Sequence, residues 1–242
     1  MTAATTDRLT APLAAPPILA IETATTRALV ALGTLDGALL AVDEWEAGHR
    51  HAEELLVRIG ALLARAGIVR PGPGVLAGIV AGTGPGGFTG LRVGLATAHG
   101  IARAAAAPLV GVPTGAALAR AARASGAVPT GAEVALLLPA GPAARYLVRD
   151  GRATLAPPGQ PMDDPAPGAV LVAVDLAGRA PDDATARGAV ARAGLAVALL
   201  DLGAARLRSG DDDGAALGPE YVTVPRGVAA AVGEVAWSPA RP

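Results

Sequence analysis

Gly82-Thr83-Gly84-Pro85-Gly86-Gly87-Phe88-Thr89-Gly90-Leu91-Arg92-Val93-Gly94-Leu95 is the stretch around which the rest of the chain arranges itself. An apolar run over residues 75–81 leads into it. Small and apolar side chains at helical spacing leave it, from about residue 90 to 106. Strand, glycine turn, helix is the expected local order, with Thr89 capping the helix start. Gly82, Gly84 and Gly87 satisfy G-x-G-x-x-G, yet three features oppose a dinucleotide loop. The turn follows the fourth expected strand, whereas the fingerprint opens the first βαβ unit. Residues 104–111 hold no acid to take a ribose hydroxyl, and Pro85 removes a backbone donor. Two readings stay open. The helix N-terminus holds an anion, or the glycines serve close backbone approach and positive φ alone.

Upstream, three short apolar runs at 18–23, 28–33 and 38–42 read as sequential strands, and Asp36-Gly37 marks a hairpin. Leu55, Leu56, Ile59, Leu62, Leu63 and Ala66 then recur at helical spacing, and Gly67 stops that helix. Downstream come a strand at 108–112 and a helix at 114–124. A meander follows at 133–138, 145–149 and 152–156, then a proline-rich loop, a strand at 169–175 and a helix within 184–207. Asp211, Asp212 and Asp213 read as a solvated loop. The order β-β-β-α-β-α-β-α followed by β-rich material predicts an α/β protein of two lobes. We divide the chain into a tail at 1–16, a first lobe at 17–112, a second at 113–225 and a tail at 226–242.

Composition excludes several chemistries. The 242 residues include no Cys, so disulfides and thiolate chemistry are absent. All 20 basic residues are Arg, which removes a Walker lysine and a Schiff-base lysine together. The net charge of −1 and five aromatic residues offer neither a basic patch nor stacking platforms for unaided RNA binding. Residues 1–20 lack the pattern of a signal peptide, and no apolar run is long enough to cross a bilayer. A cytoplasmic protein with no membrane contact is the expectation.

Four pieces of the sequence occur in the order found in the bacterial TsaB (YeaZ) family. They are Ile21-Glu22-Thr23-Ala24-Thr25, His51-Ala52-Glu53-Glu54-Leu55-Leu56, the glycine stretch 82–94, and Pro108-Leu109-Val110-Gly111-Val112. The chain resembles that family across about residues 17–120; beyond, only Gly218-Pro219-Glu220-Tyr221-Val222 matches a closing P-x-Y-[LV] segment. The resemblance implies two ribonuclease-H-like lobes of the actin and sugar-kinase type. It also implies a role in placing threonylcarbamoyl on the tRNA adenosine beside the anticodon, as the non-catalytic partner of a paralogous transferase, TsaD, served by a small ATPase, TsaE. In that setting tRNA is met only through the complex, and the free chain forms a homodimer.

The transferase paralogue carries a metal-binding H-x-x-x-H pair whose positions fall here on Thr114 and Leu118, neither an imidazole. No catalytic or metal-ligating set is therefore expected; His99 has no ligating neighbour at helical spacing, and His49 and His51 lack a third ligand. No cofactor is required. Bound ATP or ADP would use Glu22, Thr23, Thr25, Gly84, Gly86 and Gly87, an assignment that rests on analogy. The expected interface is His51, Leu55 and Leu62 on the first long helix with Leu91, Gly94, Leu95, Ala98 and Ala102 on the second, because relatives pair through these helices. The alternative is an enzyme of the same superfamily, a nucleotide-dependent phosphotransferase or a glycoprotease-like hydrolase.

Overall fold

The computed structural model describes residues 9, 13–48, 50–141, 143–156 and 168–222. His49, most of the proline-rich loop, most of the first expected tail and all of the second lie outside the described residues, as does the side chain of His51.

The first three strands, β1 (Ile18–Glu22), β2 (Arg27–Gly33) and β3 (Leu39–Glu46), form an antiparallel meander. Helix α1 (His51–Arg65) leads to β4 (Gly78–Gly82), and α2 (Phe88–Ala105) leads to β5 (Leu109–Val112). Both later strands run parallel to β1, giving the order β3-β2-β1-β4-β5. Strand β3 runs four residues past its expected end. Its charges explain the underestimate: Asp43 and Glu44 sit on an edge strand and pair with Arg58 and Arg27, so polarity does not end it.

After α3 (Thr114–Ala124), a second sheet is built from β6 (Val134–Ala140), β7 (Ala144–Arg149), β8 (Arg152–Ala156) and β9 (Val170–Ala173), in the order β8-β7-β6-β9. Where one helix was expected there are two, α4 (Asp182–Ala193) and α5 (Leu195–Arg208), bent by 54° at Gly194. The fold is α/β with two sheets flanked by helices, of the ribonuclease-H-like type.

Strand alternation sorts the core. Leu19, Ile21 and Ile79 face α1 and α2, whereas Ile18, Ala20 and Val80 face a layer of α3 and α5 that continues onto Leu136 and Leu138 of the second sheet. Helix α5, late in the chain, thus lies on the first sheet and fastens the two halves together. Helix α1 is oriented by Arg58, which reaches both oxygens of Asp43, bonds Glu54, and stacks over Trp45 at 4.6 Å. Among the described residues no single helix is long and apolar enough to cross a membrane.

Candidate functional site

The glycine turn packs against the β1–β2 junction, residues 22–27. Glu22 is fully buried: its carboxylate accepts hydrogen bonds from the amide of Ala24 at 2.5 Å and the hydroxyl of Thr114 at 2.6 Å. Thr114 in turn accepts from the amide of Gly84 at 3.1 Å, so one hydroxyl joins β1, the turn and the start of α3. Burial pushes the Glu22 carboxyl above its ordinary value, against the opposing pull of the Thr114 hydrogen bond.

Thr23 donates to the carbonyl of Gly90 at 2.8 Å. It fits because Gly94, one helical turn on, has no side chain; a Cβ there would lie 3.2 Å from the Thr23 Cβ and closer still to its hydroxyl. Ala24 accepts a hydrogen bond from the amide of Gly87 at 2.8 Å. Thr25 donates to the carbonyl of Arg27 and accepts from Arg192. Glu22, Thr23, Thr25 and Gly84 are buried, and the side-chain oxygens of the first three are bonded inside the chain. Of the residues assigned above to a nucleotide, Gly87 is exposed and Gly86 half-buried. What the arrangement does chemically is hold backbone to backbone.

Two details of the turn differ from expectation. Thr89 lies inside α2; the residue before the helix is Gly87, in extended backbone and with no side-chain cap. Positive φ belongs to Gly84, at 103°, and to neither Gly86 nor Gly87. Gly86 is required for another reason: a Cβ there would lie 2.6 Å from the carbonyl carbon of Ala24 and nearer to its oxygen. A Cβ on Gly87 meets nothing nearer than 3.8 Å.

The expected interface residues also need correcting. Leu55, Leu62, Leu91, Gly94, Leu95, Ala98 and Ala102 are all buried; Leu55, Leu62, Leu95, Ala98 and Ala102 belong to the core cluster under the first sheet, while Leu91 lies beside Gly84 and Gly94 beside Thr23. A helix's most apolar stripe goes to its own sheet first, and that is the stripe periodicity finds. The outward side of α1 carries Leu56, 61% exposed, and Val57, 71% exposed, with Gly60, Ala61 and Ala64 beyond them. Beside it the outward side of α2 carries Ala96, Gly100 and Ala104, flanked by Arg92 and Arg103. The two neighbouring helices thus expose small and apolar side chains, with Glu53, Arg92 and Arg103 as exposed charges beside them. At the glycine-turn end of α2 Phe88 meets Tyr221, ring centroids 5.4 Å apart, and Arg92 lies over Phe88.

The triple aspartate is not a solvated loop. Asp213 pairs with Arg206 through both carboxylate oxygens, at 2.7 and 2.8 Å, and accepts from the amide of Gly111. Asp212 accepts from the amide of Leu109. These residues close the free edge of β5 like a missing strand, and composition gives no hint of it. The paired guanidinium of Arg206 holds the Asp213 carboxyl below its ordinary range. The same segment continues to Leu217, whose carbonyl meets His99 Nε2 at 3.0 Å, and to Glu220, whose amide donates to Thr83. Thr114 and Leu118 are both fully buried. Among the described residues no three His, Cys, Asp or Glu side chains converge as a metal site would need.

The family model for TsaD, tRNA N6-adenosine threonylcarbamoyltransferase, matches residues 45–198, more than half of the chain. The chain belongs to this family. It is similar to a Pseudomonas aeruginosa structure described as an uncharacterized protein with similarity to peptidase YeaZ, with TM-score 0.60 and 26% identity over 86% of this chain and 100% of that one. YeaZ from the same organism is similar at TM-score 0.59 and 26% identity, over 85% and 99% of the two chains. Within the family the chain therefore stands with the TsaB (YeaZ) proteins. A search of curated proteins finds no significant match.

Proposed function

We propose that the chain is a non-catalytic subunit of a tRNA threonylcarbamoyladenosine transferase complex, docking onto a TsaD-type transferase through the outward face of α1 and α2. The observation that carries this reading is the exposure of Leu56 and Val57 among small residues on two adjacent helices. Apolar side chains this open to water suit a protein partner. Gly60, Ala64, Ala96 and Gly100 let a partner helix approach closely. Arg92 and Arg103 at the edge favour acids opposite them.

The non-catalytic part rests on Thr114 and Leu118. Where the resemblance places two imidazoles in the transferase, this chain has a hydroxyl bonded to Glu22 and Gly84, and a core leucine. Neither replaces an imidazole ligand. The same internal bonds occupy the oxygens of Glu22, Thr23 and Thr25, which supports a subunit that needs no ATP or ADP of its own. In this reading the face covers itself by homodimer formation when the transferase is absent, a TsaE-type ATPase acts on the assembled pair, tRNA is reached only through the complex, and the setting is the cytoplasm.

Co-purification from the native cell tests the reading. The transferase should be recovered with the wild-type chain and lost with Val57→Arg. Equal recovery with both would place the contact elsewhere.

A further inference from the structure

Residues 22–27 are bonded to different neighbours one after another. Glu22 holds α3, Thr23 holds α2, and Ala24 holds the turn. Thr25 and Arg27 hold the second half of the chain, through one side chain, Arg192 of α4. Its guanidinium donates to Thr25 Oγ1 at 2.9 Å and to the carbonyl of Arg27 at 2.6 Å, and pairs with Glu44 at 2.7 Å. Arg192 is only 6% exposed, and a charge so deep in the fold persists only where its partners are fixed. Thr26 adds a bond to Asp175 at 2.6 Å, on the surface.

We infer that Arg192 is a positioning residue that, by fixing the β1–β2 junction, sets the seat of the glycine turn and of the first turn of α2, and so couples the second lobe to the face proposed above for docking. The path is short. Arg192 grips Thr25; the next residue back, Ala24, receives the Gly87 amide that opens α2; the one before it, Thr23, receives α2 again at Gly90. The path is also stiff. Residues 22–25 are buried, Gly86 is pressed against Ala24, and Gly94 is hollowed to fit Thr23, so none of them shifts alone. Two hydrogen-bond acceptors and a carboxylate spread around one planar guanidinium suit the fixed fork of Arg better than the compact ammonium of Lys. Coupling of this kind is reciprocal: the free energy by which an ordered α4 favours the seating of α2 is the free energy by which a seated α2 favours an ordered α4.

Amide hydrogen exchange on the full chain tests this without a partner. Arg187 is the control, because it lies on the same helix and its partners among the described residues, Leu171 and Asp183, belong to the second lobe. Arg192→Gln should speed exchange about tenfold at Gly87 and Leu91, whose amides bond Ala24 and Gly87. Arg187→Gln should speed exchange in α4 and leave both amides at the wild-type rate. Should Arg192→Gln not fold, Arg192→Lys, which keeps a charge opposite Glu44 but lacks the fork that reaches Thr25 and Arg27 together, should give the same pattern at smaller amplitude. If Arg192 variants change only α4 and the junction, as Arg187→Gln does in its own surroundings, the inference is wrong. The coupling to docking rests on the proposed function and is read separately: transferase affinity should fall about tenfold in Arg192→Gln and hold in Arg187→Gln. Faster exchange at Gly87 with unchanged affinity would refute the link to the face. A wild-type chain that binds no transferase would refute the proposed function, while exchange at Gly87 still decides the role of Arg192.

Discussion

Gly86 and Gly87 are neighbours in one turn, yet the structure gives alanine very different consequences at the two positions. At Gly86 the new methyl would sit 2.6 Å from the Ala24 carbonyl carbon and from the Ala24 Cβ, against an ordinary contact of about 3.5 Å or more. The Ala24 oxygen would lie nearer still, so more than about 1 Å of separation must be found between the turn and the β1–β2 junction. Ala24 cannot easily retreat, because its amide bonds Glu22 and its carbonyl bonds the Gly87 amide. Overpacking costs about 1–3 kcal/mol, and stretching the Gly87 bond adds about 1 kcal/mol. A total of about 2–4 kcal/mol lowers the melting temperature by roughly 5–15 °C for a chain of this size. At Gly87 the methyl meets nothing nearer than 3.8 Å, at φ −63° and ψ 123°, a conformation open to any residue. Stiffening of the unfolded chain favours alanine there by about 0.4–1 kcal/mol, and the poorer helix cap takes a similar amount back. Gly87→Ala should therefore stay within about 1 kcal/mol of the parent. Thermal and urea melts of both variants decide the matter. Equal losses at the two positions, or a larger one at Gly87, would mean that close approach to Ala24 is not why the turn is glycine-rich.

Val57→Arg should leave folding unchanged within about 0.5 kcal/mol, because Val57 is 71% exposed, yet weaken association a hundredfold or more on a sizing column or in pull-down. Ala98→Arg should unfold the chain, since Ala98 is 0% exposed and its site has no room for a charge; circular dichroism separates the two outcomes. Glu22 is raised by burial from its ordinary 4.5, so the native state holds its proton more tightly than the unfolded chain does. Its contribution is thus fully present below 4.5 and lost as pH rises through the native value, and Glu22→Gln should flatten that part of a stability-against-pH curve; an unchanged slope would contradict the account. Asp213 has the opposite sign. It is lowered by Arg206 from its ordinary 3.8, so its contribution is present above that value and disappears as pH falls through the native one. Asp213→Asn should cost about 1 kcal/mol at neutral pH, discounted for partial exposure, and should speed amide exchange along β5; unaltered protection of the Gly111 amide would argue against edge closure by this segment.

Most of the architecture was legible because core strands and helices carry their periods openly. Leu19 and Ile21 against Ile18 and Ala20 announce a sheet buried on both faces, and the glycine stretch announces the crossover into α2. Gly194 was harder, since its right-handed backbone lets α4 run into α5 without a sequence break. The site was read less well, for two physical reasons. Periodicity finds the stripe a helix buries in its own sheet, so it groups the exposed Leu56 with the buried Leu55 and Leu62 and passes over Val57, the more exposed of the two. Long-range polar contacts leave no local mark: nothing near Arg192 shows that it crosses to Thr25, and three adjacent aspartates look alike whether they face water or the edge of β5.

Threonylcarbamoyladenosine content of tRNA, measured by mass spectrometry after reconstitution with the transferase, the ATPase and an activated threonylcarbamoyl donor, bears most directly on the proposed function. With the wild-type chain present the modified nucleoside should accumulate; with the chain omitted, or replaced by folded Val57→Arg, it should fall to background. Full modification in the absence of the chain, or undiminished modification with Val57→Arg, would contradict a subunit that acts by docking through α1 and α2.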